Sequence, residues 1–255
     1  MTQPLSFDIE TAPQDGVLES KFAPVFEEFQ YISFNPEKVK RLKSDTDETY
    51  REKYLAAEEE HQQLTAERRD KHTADFKDKQ DKFVQDCCLH AHLGKVLAIG
   101  LYDGEKFKAL EGDESEMLKT FWLQYSACSK RQQMMVGHNT LSFDLPFLVN
   151  RSKILGIRVP GSVIVKSGKW LNWSQIFEDT AAWWLLGRHH RDTKWSLDAC
   201  CHAFGLAGKC VEGVDGASFW KIYSENRELA LEYLKNDCVQ VFELYQKLCP
   251  SYIGN

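Results

Sequence analysis

The sequence has no excess of positive charge. Its 38 Asp and Glu outnumber its 32 Lys and Arg, which gives a net charge of −6 at pH 7. This balance excludes a protein that coats nucleic acid through bulk positive charge, but not an enzyme that binds it through metal ions in a local groove. Hydrophobic residues make up 43% of the chain, enough for a sizeable core in one large domain or two small ones.

The chain also lacks the cysteine spacing of a disulfide framework or a zinc site. Its eight Cys form no Cys-x-x-Cys pair and include two adjacent doublets, Cys87-Cys88 and Cys200-Cys201, which indicates reduced thiols. The N-terminus has no basic-then-apolar leader, and no apolar run approaches the length of a membrane span. We therefore expect a soluble cytoplasmic protein that does not act at a membrane.

Glycine is absent from residues 35–86, where half of the residues are charged and Pro36 is the only proline. Asn35 followed by Pro36 is typical of a helix start. The apolar residues of this stretch are sparse and spaced by three to four, which predicts a helix with a narrow apolar seam. We expect a charged helical arm, as one long helix or a helical hairpin, inserted into a single domain of residues 1–255. Its mixed charges favour a solvated helix, with a protein-binding role as the alternative.

The rest of the chain combines short apolar runs with longer amphipathic stretches. A first strand is predicted at 5–9, and "KVLAIGLYDGEKFKAL" predicts two strands joined by a turn. "MMVGHN" predicts a short buried strand, and "SVIVKSG" a strand or an exposed edge. Strands followed by interleaved helices predict an α/β fold, a mixed sheet with helices on both faces. Helices are expected at 114–125, 144–155, 197–206 after Ser196 as cap, and 226–248.

Two carboxylates stand close together in the first predicted strand, in "SFDIET". Asp8 and Glu10 share one face of that strand, because successive side chains alternate. Carboxylates on one face repel each other unless water surrounds them or a divalent cation neutralises them. A second pair, Asp103 and Glu105, flanks Gly104, which favours an exposed turn. We therefore interpret only the first pair as a candidate site.

Two further acids have suggestive surroundings. Asp144 follows a short apolar strand in "HNTLSFDLPFL", where a helix-capping acid is the alternative interpretation. Asp237 lies inside the last predicted helix, on the same face as Tyr233, and no Lys or Arg stands three or four positions from it. A buried carboxylate is costly unless it is paired or binds a metal. Together with the first pair, these acids fit a two-metal phosphoryl-transfer site for Mg²⁺ or Mn²⁺.

Three motifs, in this order, resemble those of the DEDD superfamily of 3′–5′ exonucleases, which have a ribonuclease H-like fold. They are "FDIET", "NTLSFD" and, as in the tyrosine subclass, "YLKND". The stretch "GKCVEGVDGASFW" is similar to predicted exonucleases related to the proofreading domain of family B DNA polymerases. The resemblance covers residues 4–34 and 94–248. It implies a ribonuclease H-like mixed sheet flanked by helices, with the charged helical arm of residues 35–86 inserted.

The resemblance implies that four acids are catalytic and bind two divalent cations, Mg²⁺ or Mn²⁺. Asp8 would bridge both ions. Glu10 and Asp237 would complete the shell of the ion that holds the attacking water, and Asp144 would support the second ion. The catalytic Tyr233 would orient the attacking water.

The resemblance also implies a substrate. Thr11, Asn139 and Phe143 would bind it, and the activity would be 3′–5′ hydrolysis of single-stranded DNA ends, releasing nucleoside monophosphates in DNA repair. An exoribonuclease that trims RNA ends is one alternative. Another is a non-catalytic module that binds nucleic acid, or a protein partner through residues 35–86.

Overall fold

The computed structural model describes most of the chain, namely residues 3–167, 169–189, 191, 193–208, 216 and 218–248. The chain divides into two compact units. One comprises Gly16–Val84, and the other combines Met1–Asp15 with Gln85–Asn255.

The larger unit is built on a five-stranded mixed sheet. Its strands are β1 (Leu5–Pro13), β2 (Gly94–Tyr102), β3 (Phe107–Glu111), β4 (Met135–Gly137) and β7 (Phe177–Asp179), in the spatial order β3-β2-β1-β4-β7. β1, β2 and β3 are antiparallel neighbours, whereas β4 is parallel to β1 and β7 is parallel to β4. A separate hairpin consists of β5 (Ile164–Ser167) and β6 (Trp170–Trp173). The predicted mixed sheet is confirmed, with β1 at its centre.

The helices predicted from periodicity are all present in the larger unit. The described helices are α1 (Asp47–Cys87), α2 (Glu114–Arg131), α3 (Asp144–Ile154), α4 (Thr180–Leu185), α5 (Leu197–Ala203), α6 (Phe219–Glu225) and α7 (Arg227–Leu248). The short helices α4 and α6 were not predicted. Six or seven residues show too little periodicity, and the equally short α5 was predicted only because Ser196 gave a capping signal. Among the described residues, no helix combines the length and the apolar character needed to cross a membrane.

Both faces of β1 are covered. Phe7 and Ile9 point into the main core, where the Phe7 ring lies 5.4 Å from Phe121 of α2 and 6.2 Å from Phe177 of β7. The opposite face lies under α7, which packs close to the sheet at Gly100 of β2. A Cβ at Gly100 would lie 2.6 Å from the Sγ of Cys238. The absence of a side chain at this glycine therefore permits the close approach of α7.

The long helix of the other unit does not begin where the sequence predicted. The Asn35 side chain accepts a hydrogen bond from the N–H of Glu37 at 2.9 Å and caps only a short 3₁₀ turn, Pro36–Lys38. α1 begins after Thr46, whose hydroxyl accepts from the N–H of Thr49 at 3.2 Å. The predicted start was wrong because the run after Pro36 is basic, whereas acids fill the first turn after Thr46 and suit the positive end of a helix.

α1 is a single helix of 41 residues, and of its side chains only Cys87 is buried. Within Gly16–Val84, rings of the preceding irregular segment pack on the helix. Phe26 lies 5.0 Å from Phe76, and Phe34 lies 5.5 Å from Tyr54. These contacts supply the apolar packing that the narrow seam of the helix alone would not.

Candidate active site

β1 and α7 bring three carboxylates together. Asp8 and Glu10 are on the face of β1 that lies under α7, the face on which the Ser6 hydroxyl donates to the carbonyl of Cys238 at 2.7 Å. Asp8, Glu10 and Asp237 each offer an oxygen, and these oxygens lie within 4.8 Å of one another. Glu10 is 5% exposed and Asp237 is 9% exposed, whereas Asp8 is partly exposed, so two of the three carboxylates are largely removed from water.

Asp144 reaches the same place from the start of α3. β4 pairs with β1 only at Leu5 and Ser6. Further along β1, the Oδ1 of Asp144 accepts a hydrogen bond from the N–H of Ile9 at 3.2 Å. Ile9 stands between Asp8 and Glu10, so this bond fixes Asp144 beside the cluster. Asp144 is not one of the three residues whose oxygens converge within 4.8 Å.

Tyr233 lies one turn before Asp237 on α7, is 5% exposed and forms a hydrogen bond with it. Burial raises the pKa of Tyr233 far above its usual range, and the negative charges of Asp237, Glu10 and Asp8 raise it further. The phenol therefore stays neutral at physiological pH. A neutral phenol has one proton to donate, here to Asp237, and its oxygen can accept a hydrogen bond from a water molecule.

The predicted substrate residues line the same cleft, whose volume is about 510 Å³. The Thr11 hydroxyl is buried and donates to the carbonyl of Cys88 at 2.8 Å. Asn139 has a φ of +60°, in the left-handed region, which Asn tolerates better than most residues. Phe143 is partly buried and precedes Asp144. The structure therefore brings all eight predicted site residues to one cleft, and their roles in binding and catalysis stay predictions.

The acids of the cleft repel one another. Burial raises the pKa of Asp8 well above its ordinary value, and the charges of Asp144 and Asp237 add to that rise. Burial also raises the pKa of Asp144 to about 7. Bound divalent cations would relieve this repulsion, and the donors are all carboxylate oxygens, which suits hard cations such as Mg²⁺ or Mn²⁺.

Sequence reasoning missed Asp179, which supports the loop before Asp144. Its carboxylate accepts hydrogen bonds from the N–H groups of Asn139 at 2.8 Å, Leu141 at 3.1 Å and Ala181 at 2.9 Å. It therefore holds that loop and caps α4 at the same time. The available signal was an acid directly before an apolar helix-forming run, "FEDTAAWW".

The comparison with protein families decides the relationship of the chain. Residues 74–251 match the family described as predicted 3′–5′ exonucleases related to the exonuclease domain of PolB. The chain belongs to this family. Asn139, Asp144, Tyr233 and Asp237 lie inside the matched residues, whereas β1 lies before them. No curated protein matches the chain.

The fold of this member of the PolB-related exonuclease family is similar to that of part of a solved DNA polymerase. The chain is similar to the family B DNA polymerase from the hyperthermophilic archaeon Pyrobaculum calidifontis, with 18% sequence identity and a TM-score of 0.51. The similarity covers 62% of this chain and 22% of the polymerase, so the chain spans a small part of that protein. The predicted fold, a ribonuclease H-like mixed sheet flanked by helices, is confirmed.

Proposed function

We propose that the chain is a metal-dependent 3′–5′ exonuclease of the tyrosine subclass, which releases nucleoside monophosphates from the 3′ end of single-stranded DNA. The observation that carries this proposal is the convergence of Asp8, Glu10 and Asp237 within 4.8 Å in a cleft that Tyr233 and Asp144 also line. The relation of the family to the exonuclease domain of PolB supports DNA as the substrate.

The carboxylates would hold two divalent cations, Mg²⁺ or Mn²⁺. Glu10 and Asp237 would bind one ion, Asp144 would support the other, and Asp8 would contact both. When bound, the cations would activate a water as nucleophile and stabilise the leaving oxygen. The like charges and buried position of these acids support this assignment, because an uncompensated cluster of this kind is costly.

Tyr233 and the substrate residues would position the reactants. The neutral phenol of Tyr233 would hold the attacking water, and Phe143 would stack on the terminal base, with Asn139 and Thr11 beside the terminal nucleotide. Because Tyr233 orients rather than binds metal, we expect Tyr233→Phe to slow hydrolysis less than a substitution of Asp8. Rates measured on one oligonucleotide compare the two variants, and an equal loss in both would contradict the orienting role.

The direct test is digestion of 5′-labelled single-stranded DNA and RNA oligonucleotides of the same sequence, with Mn²⁺ or with EDTA. We expect a ladder that shortens from the 3′ end of DNA, only with metal, and that is absent with Asp237→Asn. Asp103→Asn is the matched control, because Asp103 lies in the exposed turn after β2. Activity in EDTA, or full activity of Asp237→Asn, would overturn the proposal.

The same experiment decides between the alternatives. Faster shortening of RNA would favour an exoribonuclease. No shortening of either substrate, combined with binding of one of them measured by fluorescence anisotropy, would favour a non-catalytic module. We further propose one exonuclease domain of residues 1–255 with a helical insertion at 35–86. A protein partner for that insertion, a cytoplasmic location and a role in DNA repair stay predictions.

A further inference from the structure

A second depression lies directly beside the catalytic cleft. It measures about 450 Å³, and Leu89 and Phe143 line both it and the cleft. One wall is the loop of residues 89–92, and the other is the exposed side of α3 from Pro146 to Ile154. We call it the α3 groove. Its position makes it a continuation of the cleft.

The α3 groove and the cleft differ in charge. Five acids line the cleft, namely Asp8, Glu10, Asp86, Asp144 and Asp237. The lining of the α3 groove instead contains His90, His92 and Lys153, and no Asp or Glu among the described residues. Basic and imidazole side chains donate hydrogen bonds to phosphate oxygens. The groove therefore offers a favourable surface to a polyanion such as nucleic acid. The neighbouring cleft would repel a polyanion unless cations neutralise its acids.

Large apolar side chains lie exposed along the same groove. Leu89 is 60% exposed and Ile154 is 55% exposed. Leu89 stands at the boundary with the cleft, and Ile154 stands at the far end of α3. Proteins that bind single-stranded nucleic acid combine a positively charged groove, which follows the phosphates, with aromatic side chains on which bases stack. The α3 groove has the positive charge of Lys153 and offers exposed aliphatic side chains as its apolar surface.

A buried arginine joins the two walls to each other. Arg151 of α3 is 4% exposed and donates to the carbonyl of Ala91 at 3.0 Å. It also donates to both carboxylate oxygens of Glu114, at 2.8 and 2.6 Å, and Glu114 in turn accepts from the N–H of Val96 at 2.7 Å. The groove is therefore formed before any ligand binds, which lowers the entropic cost of binding.

The length of the α3 groove suits a few nucleotides. Pro146 and Ile154 are eight residues apart on α3, which corresponds to about 12 Å along the helix. Stacked nucleotides rise about 3.4 Å each, so the groove matches about three of them. α3 begins with Asp144 in the cleft, so the groove leads away from the predicted site of hydrolysis.

We propose that the α3 groove binds the single strand upstream of its 3′-terminal nucleotide, with Lys153 and His90 contacting phosphates and Leu89 and Ile154 packing against bases. This assignment rests on the proposed function, because it places the terminal nucleotide in the cleft. The backbone chemistry is common to DNA and RNA, so both are included in the test.

Binding tests the groove without catalysis. The probes are 5′-fluorescein-labelled dT10 and U10 in EDTA, with Kd measured by anisotropy over a series of salt concentrations. Lys153→Ala should raise Kd about tenfold, the effect of one lost charged hydrogen bond, and reduce the slope of log K against log salt by about 0.7. Lys130→Ala, an exposed lysine of α2 outside the groove, is the matched control and should change neither. Equal binding by all three proteins, or no binding by the wild type, would overturn the proposal.

Steady-state kinetics provide a second test, because a general structural defect would not change KM while leaving kcat the same. Lys153→Ala should raise KM for dT10 about tenfold with kcat unchanged. It should leave hydrolysis of the p-nitrophenyl ester of thymidine 5′-phosphate unaffected, because this small substrate occupies the cleft alone. An equal loss of hydrolysis on both substrates would overturn the proposed role of the groove. If no protein cleaves any substrate, the proposed function fails, and the binding measurement still decides the groove.

Discussion

The chain contains two Asp-x-Glu pairs, and their surroundings make them chemically opposite. Asp8 and Glu10 lie on the central strand β1 beneath α7, whereas Asp103 and Glu105 occupy the exposed turn between β2 and β3. Glu10 is 5% exposed, and an oxygen of Asp237 lies within 4.8 Å of the oxygens of Asp8 and Glu10. The second pair lies in water.

The pKa shifts of the two aspartates have opposite signs. Burial and the nearby charges of Asp144 and Asp237 raise the pKa of Asp8. Hydrogen bonds from the N–H groups of Lys106 and Glu105, at 2.8 and 3.0 Å, lower the pKa of Asp103. The same Asp-x-Glu pattern therefore forms a cluster of mutually repelling acids on β1 and a hydrogen-bonded turn after β2. The difference arises because α7 covers the first pair and water surrounds the second.

The largest expected difference between the pairs is in activity. Asp8→Asn should reduce hydrolysis of single-stranded DNA roughly a thousandfold or more, because metal sites supply several kcal/mol of transition-state stabilisation. Asp103→Asn should leave the rate unchanged. Single-turnover rates with Mn²⁺ provide the measurement, and comparable rates for the two variants would remove the distinction between the pairs.

The second largest expected difference between the two Asp-x-Glu pairs is in metal binding. A divalent cation that binds only the folded protein stabilises it by about 2.7 kcal/mol at one hundred times its Kd. We expect Mg²⁺ or Mn²⁺ to raise Tm for the wild type and for the double variant Asp103→Asn/Glu105→Gln. The double variant Asp8→Asn/Glu10→Gln should show no rise. A metal-induced rise that survives in this last variant would place the metal elsewhere.

The close packing of α7 over Asp8 can be tested at Gly100, which is opposite Asp8 in the β1–β2 pairing. Gly100→Ala would place a Cβ 2.6 Å from the Sγ of Cys238, and overpacking of this kind costs about 1–3 kcal/mol. Gly161→Ala is the control, because no atom lies within 4 Å of its Cβ position. Urea unfolding and hydrolysis rates measure both effects. Equal stability of the two variants would show that α7 need not lie so close.

The smallest expected difference concerns pH, in EDTA. The folded-state pKa of Asp8 is raised, so the folded protein holds that proton more tightly and the free energy of unfolding falls as pH rises above about 3.9. Asp8→Asn should flatten this fall. The pKa of Asp103 is lowered, so its contribution is present above about pH 3.9 and is lost below it. Asp103→Asn should change the free energy of unfolding only in its dependence on pH below about 3.9. Unfolding at pH 3 to 8 measures both, and parallel curves for wild type and Asp8→Asn would contradict the raised pKa.

Local patterns predicted the parts of the fold that depend on local physics. Alternation identified β1 and the shared face of Asp8 and Glu10, and helical spacing identified α7 with Tyr233 and Asp237 on one face. Ser196 caps α5 as predicted, with its hydroxyl accepting from the N–H of Ala199 at 3.3 Å.

Contacts between distant segments could not be predicted in this way. Asp179 binds backbone groups about forty residues away, and Arg151 joins α3 to Glu114, which is 37 residues away. The register shift between Glu10 and Thr11 depends on how β2 pairs with β1. The start of α1 was missed because two capping signals compete eleven residues apart, and only their electrostatic surroundings choose between Asn35 and Thr46.

The hydrogen bond from the N–H of Ile9 to Asp144 has a consequence for mutagenesis. Alanine at position 144 would remove a candidate metal ligand and also leave a buried amide of β1 without its acceptor, at a cost of about 1–3 kcal/mol. Asparagine keeps an oxygen for that amide while removing the charge. A loss of activity in the alanine variant would therefore mix local unfolding with chemistry, and the asparagine variant reports on the charge alone.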